Sequence, residues 1–187
     1  MAFARLPPHR DALGLIQMVT FRLADSLPAA VLEELRKDRS PRGDAHRRER
    51  VEAYLDDGHG ACHLRDPVIA GIVERALLRF DGERYRLIAW SIMPNHVHLL
   101  SEMRPGHNLA RVLHTWKSYT AHAANRALGR SGAFWQTEYW DRYIRDEQHL
   151  QNALRYIDGN RSRFSSAARR AGSAGGTPAL PGKPHRA

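Results

Sequence analysis

At 187 residues, with 42% apolar and 26% charged side chains, the chain has the size and balance of one globular domain with room for a tail. No apolar run approaches the roughly 18 residues that cross a bilayer. Met1–Arg10 has no apolar signal core, and Cys62 is the single cysteine, so a membrane-spanning helix, export and a disulfide framework are all disfavoured and a reducing cytoplasm is expected. The formal net charge of +9 points to a polyanionic partner, of which nucleic acid is the commonest.

Residues 15–23, LIQMVTFRL, are β-rich and bounded by Gly14 and Asp25, which predicts a strand. Apolar residues at helical spacing predict a helix over 28–36. The charged stretch 37–50, broken by Pro41 and Gly43, reads as an exposed inserted connection running into a second helix that ends near Asp57-Gly58. Asp66 as N-cap and Pro67 at the first helical position start a helix that Asp81-Gly82 stops. Strands over 85–93 and 96–103 flank the Pro94-Asn95 turn. A long helix over 109–128, a short strand over 139–144 and a helix over 147–157, with Gly159 just beyond, complete the core. The Gly-, Ala-, Ser- and Pro-rich segment after Phe164 cannot bury enough to fold. The expected organisation is one domain over 1–164, with a helical insertion at about 28–58, and a flexible basic tail over 165–187. Two middle strands in a hairpin, each joined to an outer strand through a helix, give a split βαβ, ferredoxin-like α+β fold: an antiparallel sheet with helices on one face.

The chemistry centres on MPNHVHLL, 93–100. In a strand His96 and His98 share one face, about 7 Å apart along the backbone, and Val97 and Leu99 share the other. Two imidazoles on one face are a candidate metal pair. On the last helix Tyr156 and Asn160 stand at i and i+4, on one face. If that helix crosses the histidine face, Tyr156 is a candidate nucleophile and Asn160 a candidate oxygen ligand. Positive charge is concentrated in two acid-free runs. One is 104–136, with Arg104, Arg111, Lys117, Arg126 and Arg130; the other is 161–187, beginning with Arg161 and Arg163. All seven are candidate phosphate contacts. Trp135 and Trp140 flank a loop, and Trp135 is a candidate for stacking on a base.

At these residues the sequence resembles a family. HVH fits the pattern of two histidines around a hydrophobic residue found in nucleases that cut single-stranded DNA through a tyrosine. More closely, VTFRLADSLP, FDGERYRLIAWSIMPNHVHLL, WKSYTAHAANR, FWQTEYWDRYIRDEQHL and LRYIDGN resemble the REP-associated tyrosine transposases. That resemblance implies that His96, His98 and Asn160 hold Mg²⁺ or Mn²⁺ and that Tyr156, on a C-terminal helix, is the nucleophile. It implies an endonuclease and strand-transfer activity at palindromic repeat hairpins through a covalent 5′-phosphotyrosine, by a monomer or homodimer. Family members commonly continue the tyrosine motif with Pro-Val, where this chain has Arg161-Ser162. The alternatives are a hairpin-DNA binding protein that does not cut, and a metal-dependent phosphoesterase using activated water.

Overall fold

The computed structural model describes residues 14–37 and 43–164. Residues 1–13, 38–42 and the whole tail 165–187 lie outside the described residues. Four strands, β1 (Ile16–Arg22), β2 (Tyr85–Ile92), β3 (His96–Met103) and β4 (Trp140–Tyr143), form one antiparallel sheet in the order β2-β3-β1-β4. This is the split βαβ arrangement. Five helices accompany it: α1 (Ala29–Lys37), α2 (Gly43–Asp56), α3 (Pro67–Leu78), α4 (Leu109–Ala127) and α5 (Glu147–Phe164). No described helix is long and apolar enough to cross a membrane.

The hairpin β2-β3 closes at Pro94-Asn95, where Met93 N–H donates to the His96 carbonyl at 2.8 Å. Asp66 caps α3 by accepting from Val68 N–H at 2.8 Å, with Pro67 behind it, because Pro lacks the N–H that the first turn would leave without a partner. The odd positions of β1 and β3, Val19, Phe21, Val97 and Leu99, face α3 and α4 and form the main core with Leu77, Leu113 and Trp116. At its centre Trp116 Nε1 donates to Tyr85 Oη at 3.0 Å, and Tyr85 Oη donates to the Leu77 carbonyl at 2.7 Å. A buried phenol and indole are thus both satisfied.

The two helices of the βαβ units share one face, and α5 lies on the other. Leu150, Ala153 and Ile157 of α5 pack against Ile16, Met18, Ala89 and Leu100. The helix also runs on to Phe164, through Gly159, where the glycine had suggested a stop. Asn160 is buried and Arg161 sits over the Trp90 ring at 5.5 Å. Those contacts hold the last turns against a glycine cost of about 1 kcal/mol. The insertion is more than an exposed connection. Val51 and Leu55 of α2 are buried with Leu27 and Val31, and Trp140 packs against this cluster.

The loop after α2 is tied to the sheet. Gly60 has φ +84°, and a Cβ there would lie 2.5 Å from the Asp25 carbonyl oxygen. Ala61 N–H donates to Asp25 Oδ2 at 2.9 Å. Gly82, at φ +86°, has nothing within 4 Å of a built Cβ. Gly82→Ala should therefore cost only the strain of the left-handed backbone, about 1 kcal/mol. Gly60→Ala adds a clash with backbone and should cost at least about 2 kcal/mol. Urea denaturation of the two variants checks this, and equal losses would mean the loop gives way freely.

Candidate active site

Strand β3 sets the floor of the site. His96 and His98 face away from the main core, paired across β1 with Arg22 and Thr20. Both histidines are 0% exposed. Their Nε2 atoms face each other at 2.8 Å. Each ring is held at its other nitrogen: His96 Nδ1 by Asn95 Oδ1 at 2.8 Å, and His98 Nδ1 by Thr20 Oγ1 at 2.8 Å.

Asn95 fixes the proton on His96. Its Nδ2 donates to the His59 carbonyl at 2.9 Å, so its Oδ1 must face the ring. An amide oxygen only accepts, so His96 carries its proton on Nδ1 and presents a bare lone pair at Nε2. The Thr20 hydroxyl can donate or accept, so His98 can hold its proton on either nitrogen. Burial holds both rings neutral. It depresses His98 to a pKa of about 3, with the Arg142 charge adding to the effect, and it puts His96 well below the usual histidine range, with His98 adding to the effect.

The walls come from two helices. From α5, Tyr156 Oη lies 3.2 Å from His98 Nε2, and the two rings meet edge-on at 5.1 Å. The phenol is pushed up to about 12, chiefly by burial and then by the negative charges of Glu52 and Asp56. One turn on, Asn160 is 5% exposed, and its Nδ2 finds no hydrogen-bond partner. From α2, Asp56 Oδ1 comes within 3.9 Å of His96 Nε2.

This donor set fits a divalent ion. Two neutral imidazoles place their Nε2 atoms at 2.8 Å, close to the roughly 2.9 Å between neighbouring donors on an octahedral ion with bonds of about 2.0–2.1 Å, and both can offer lone pairs to the gap when His98 carries its proton on Nδ1. Asn160, buried one turn after Tyr156, interacts with the phenol and partly offsets the upward push on it. Among the described residues no group of three or more His, Cys, Asp or Glu side chains is placed to hold a metal ion. The imidazole pair is the fixed part of the site.

The expected phosphate contacts divide. Arg104, Arg111 and Arg126 are exposed, but they precede or lie on α4, the helix that packs on the opposite face of the sheet from Tyr156. Lys117 is not available: its ammonium donates to the carbonyls of Gln136, Thr137 and Glu138 at 2.9, 3.0 and 3.2 Å. Arg130 donates to His63 Nε2 at 2.9 Å and to the Ala133 carbonyl at 3.2 Å. Trp135 is 7% exposed, its ring in the main core and its Nε1 donating to Thr120 Oγ1 at 2.8 Å, so it offers no face to a base. Arg161 lies over Trp90, and the Arg163 side chain lies outside the described ones. The cation that sequence reading missed is Arg142. It is exposed, paired across β1 with Met18 on the histidine face, and its charge acts on both His98 and Tyr156. Its alternation with Tyr143 along the short strand 140–143 was the available signal.

With divalent ions chelated, the two imidazoles bind no proton in the folded chain but do so once unfolded, below about pH 6.5. Folded-state pKa values are depressed, so the unfolded state binds more protons, and stability should fall with pH below that point. Each histidine contributes up to about 1.4 kcal/mol per pH unit. Urea denaturation between about pH 7 and 5 should show a steeper loss for the native sequence than for His96→Gln/His98→Gln. Equal slopes would mean that the rings are solvated.

Residues 72–160 match the family model described as Transposase IS200 like. A Haemophilus influenzae protein assigned as a REP-associated tyrosine transposase is 28% identical over 83 residues, which cover 39% of this chain and 47% of that one. The chain thus spans about half the length of this curated relative. A solved structure of a REP-associated tyrosine transposase bound to a REP hairpin shares the fold, with a TM-score of 0.55 at 16% identity over 87% of this chain and 74% of the other. A structure from Deinococcus radiodurans assigned as a transposase reaches a TM-score of only 0.36, at 14% identity over 83% of this chain and 98% of its own, and carries no weight. The matched segment, 72–160, is the one that holds the histidine pair, Tyr156 and Asn160, and there the chain is similar to the IS200-like transposases.

Proposed function

We propose that the protein cuts and rejoins single-stranded DNA beside a palindromic repeat hairpin, through a covalent bond between Tyr156 and a 5′-phosphate. The observation that carries this reading is the approach of the Tyr156 hydroxyl to 3.2 Å from an imidazole pair whose nitrogens are set to receive a cation. The hairpin substrate is suggested by the printed partner of the solved relative.

His96, His98 and Asn160 would hold Mg²⁺ or Mn²⁺, which when bound polarises a non-bridging phosphate oxygen and neutralises charge as it develops. Tyr156 is kept a phenol by burial and acidic neighbours, so it is silent until a cation and a phosphate arrive together. Its oxygen then attacks phosphorus in line, the bond to the 3′-oxygen breaks, and the proton lost by the phenol is restored to the leaving 3′-hydroxyl. The new phosphotyrosine keeps the energy of the broken diester, so another 3′-hydroxyl can reverse the step. Arg142 lies on the face where the phosphate must sit and balances its charge.

Single-stranded DNA from repeats flanking the gene, incubated with Mn²⁺ and run on a denaturing gel, should yield a protein–DNA adduct. Tyr156→Phe removes only the nucleophilic oxygen. It should abolish the adduct while hairpin affinity stays within about twofold, since the packing surface is kept. Release of free product without an adduct would favour a phosphoesterase, and binding without cleavage a non-catalytic hairpin protein.

Arg142→Ala should slow adduct formation by about 10- to 100-fold. Arg126→Ala, on the other side of the sheet, should alter only the salt dependence of binding, by a slope of about 0.7–0.9 if Arg126 meets a phosphate. Single-turnover rates and binding at several salt concentrations separate the two. Equal rates would remove Arg142 from the site.

A further inference from the structure

Several cations of this chain are engaged within the fold: Lys117 and Arg130 on backbone carbonyls, Arg86 on Glu102, and Arg161 over Trp90. A second group is not. Strand β3 begins at the histidine pair and ends at Met103, about 23 Å along the strand. Beyond that far end a cleft of about 690 Å³ is lined by Arg84, His107, Arg111, His114 and Thr115, and no acid lines it. Among the described residues nothing pairs with the side chains of His107, Arg111 or His114. The Arg84 guanidinium lies over the Phe80 ring at 3.6 Å, and the largely exposed Glu83 reaches it only at 3.7 Å, which neutralises little of its charge. Asn108 already caps α4, so the pull on an anion comes from the side chains.

We propose that this cleft and the outer face of α4 form a second nucleic-acid surface, which takes the phosphate backbone of a DNA duplex. The duplex is the stem of the repeat hairpin, and for that source the inference rests on the proposed function. The face continues the cleft. At 100° per residue Arg111, Thr115, Tyr119, His122 and Arg126 lie within about 80° of one another, and all five are exposed. From Arg111 to Arg126 they extend about 22 Å along the helix, roughly six steps of a duplex strand at about 3.4 Å each. No acid interrupts the sequence from 104 to 136. Guanidinium, imidazole N–H and hydroxyl groups all donate to phosphate oxygens. Tyr119 is 58% exposed, one of two large apolar side chains so left among the described residues. A single-strand groove stacks successive bases on several aromatic rings. One phenol in a row of phosphate donors suits the regular backbone of a duplex instead. The stem is thus gripped on one face of the sheet, and the flank is cut on the other.

The test is binding to the full chain by fluorescence anisotropy at several salt concentrations, in a chelator so that no cleavage intervenes. Three probes are used: the repeat hairpin with its flank, its stem as a blunt duplex, and the single-stranded flank alone. Arg84→Gln/Arg111→Gln should weaken hairpin and duplex by about 10-fold and lower the slope of log K against log salt by about 1.8, about 0.9 for each arginine. The flank alone should bind within twofold of native. Arg111→Gln, at an exposed position, should lower the slope by about 0.9 and serves should circular dichroism show the double variant unfolded. Arg155→Gln removes one charge from α5, on the other face, and should leave duplex affinity within twofold. Unchanged duplex affinity and slope in the cleft variants overturn the proposal. So does an equal loss on the flank alone, or for Arg155→Gln on the duplex, since either marks general attraction to a basic chain. A duplex that fails to compete with the hairpin for the native chain overturns the stem as the occupant. None of these readouts involves Tyr156, so the covalent reading stands or falls separately, on its adduct assay.

Discussion

The period of one strand governs the rest of the molecule. Because side chains of β3 alternate, burying Val97 and Leu99 under α3 and α4 obliges His96 and His98 to face the other way. Two bulky, polar rings cannot be left bare on a sheet face without losing their desolvated character, so that face needs its own cover. Helix α5 supplies it at one end with Leu150, Ala153 and Ile157, and ends its apolar stripe where the histidines begin. Tyr156 and Asn160 stand at that margin. The insertion covers the other end. A site forms where two partial covers meet over a strand too polar to be sealed by either.

The electrostatics follow from that seam. Desolvation keeps the imidazoles neutral and the tyrosine protonated, and the acids of α2 reinforce the phenol. Each group is therefore in the state that a cation can exploit: bare nitrogen on one side, and on the other an acid whose proton a positive charge would loosen. Arg142 is the counterweight on the β4 side.

Much of this was legible from local chemistry. Asp66-Pro67 announces the start of α3 by capping alone, and the histidine pair announces itself by alternation. The i, i+4 spacing of Tyr156 and Asn160 places both on one side of α5. What escaped depends on partners distant in sequence. Nothing near Lys117 says that three carbonyls some 20 residues on will occupy its protons. Nothing near Trp135 says that Thr120 will take its indole N–H. Gly159 is a local stop signal that Asn160 and Arg161 outweigh by tertiary contact. Asp56 lies in a run so rich in charge that no single acid stands out. Sequence pattern reports faces and ends, and it is weakest where a charged side chain chooses between solvent and a distant carbonyl.

Asn95 shows how little of such a site resides in shape. Aspartate has the same outline and would fit the same hole. It would lack the donor that reaches the His59 carbonyl and set two oxygens against each other at 2.9 Å. It would also put a buried negative charge beside His96, holding that ring as an imidazolium with a proton on each nitrogen. The atoms would stay nearly in place while a lone pair became a hydrogen. On the proposed reading, a site that would accept a cation would have become one that repels it, through the change of one side-chain nitrogen to oxygen. The protonation of the His96 ring is kept by a single amide.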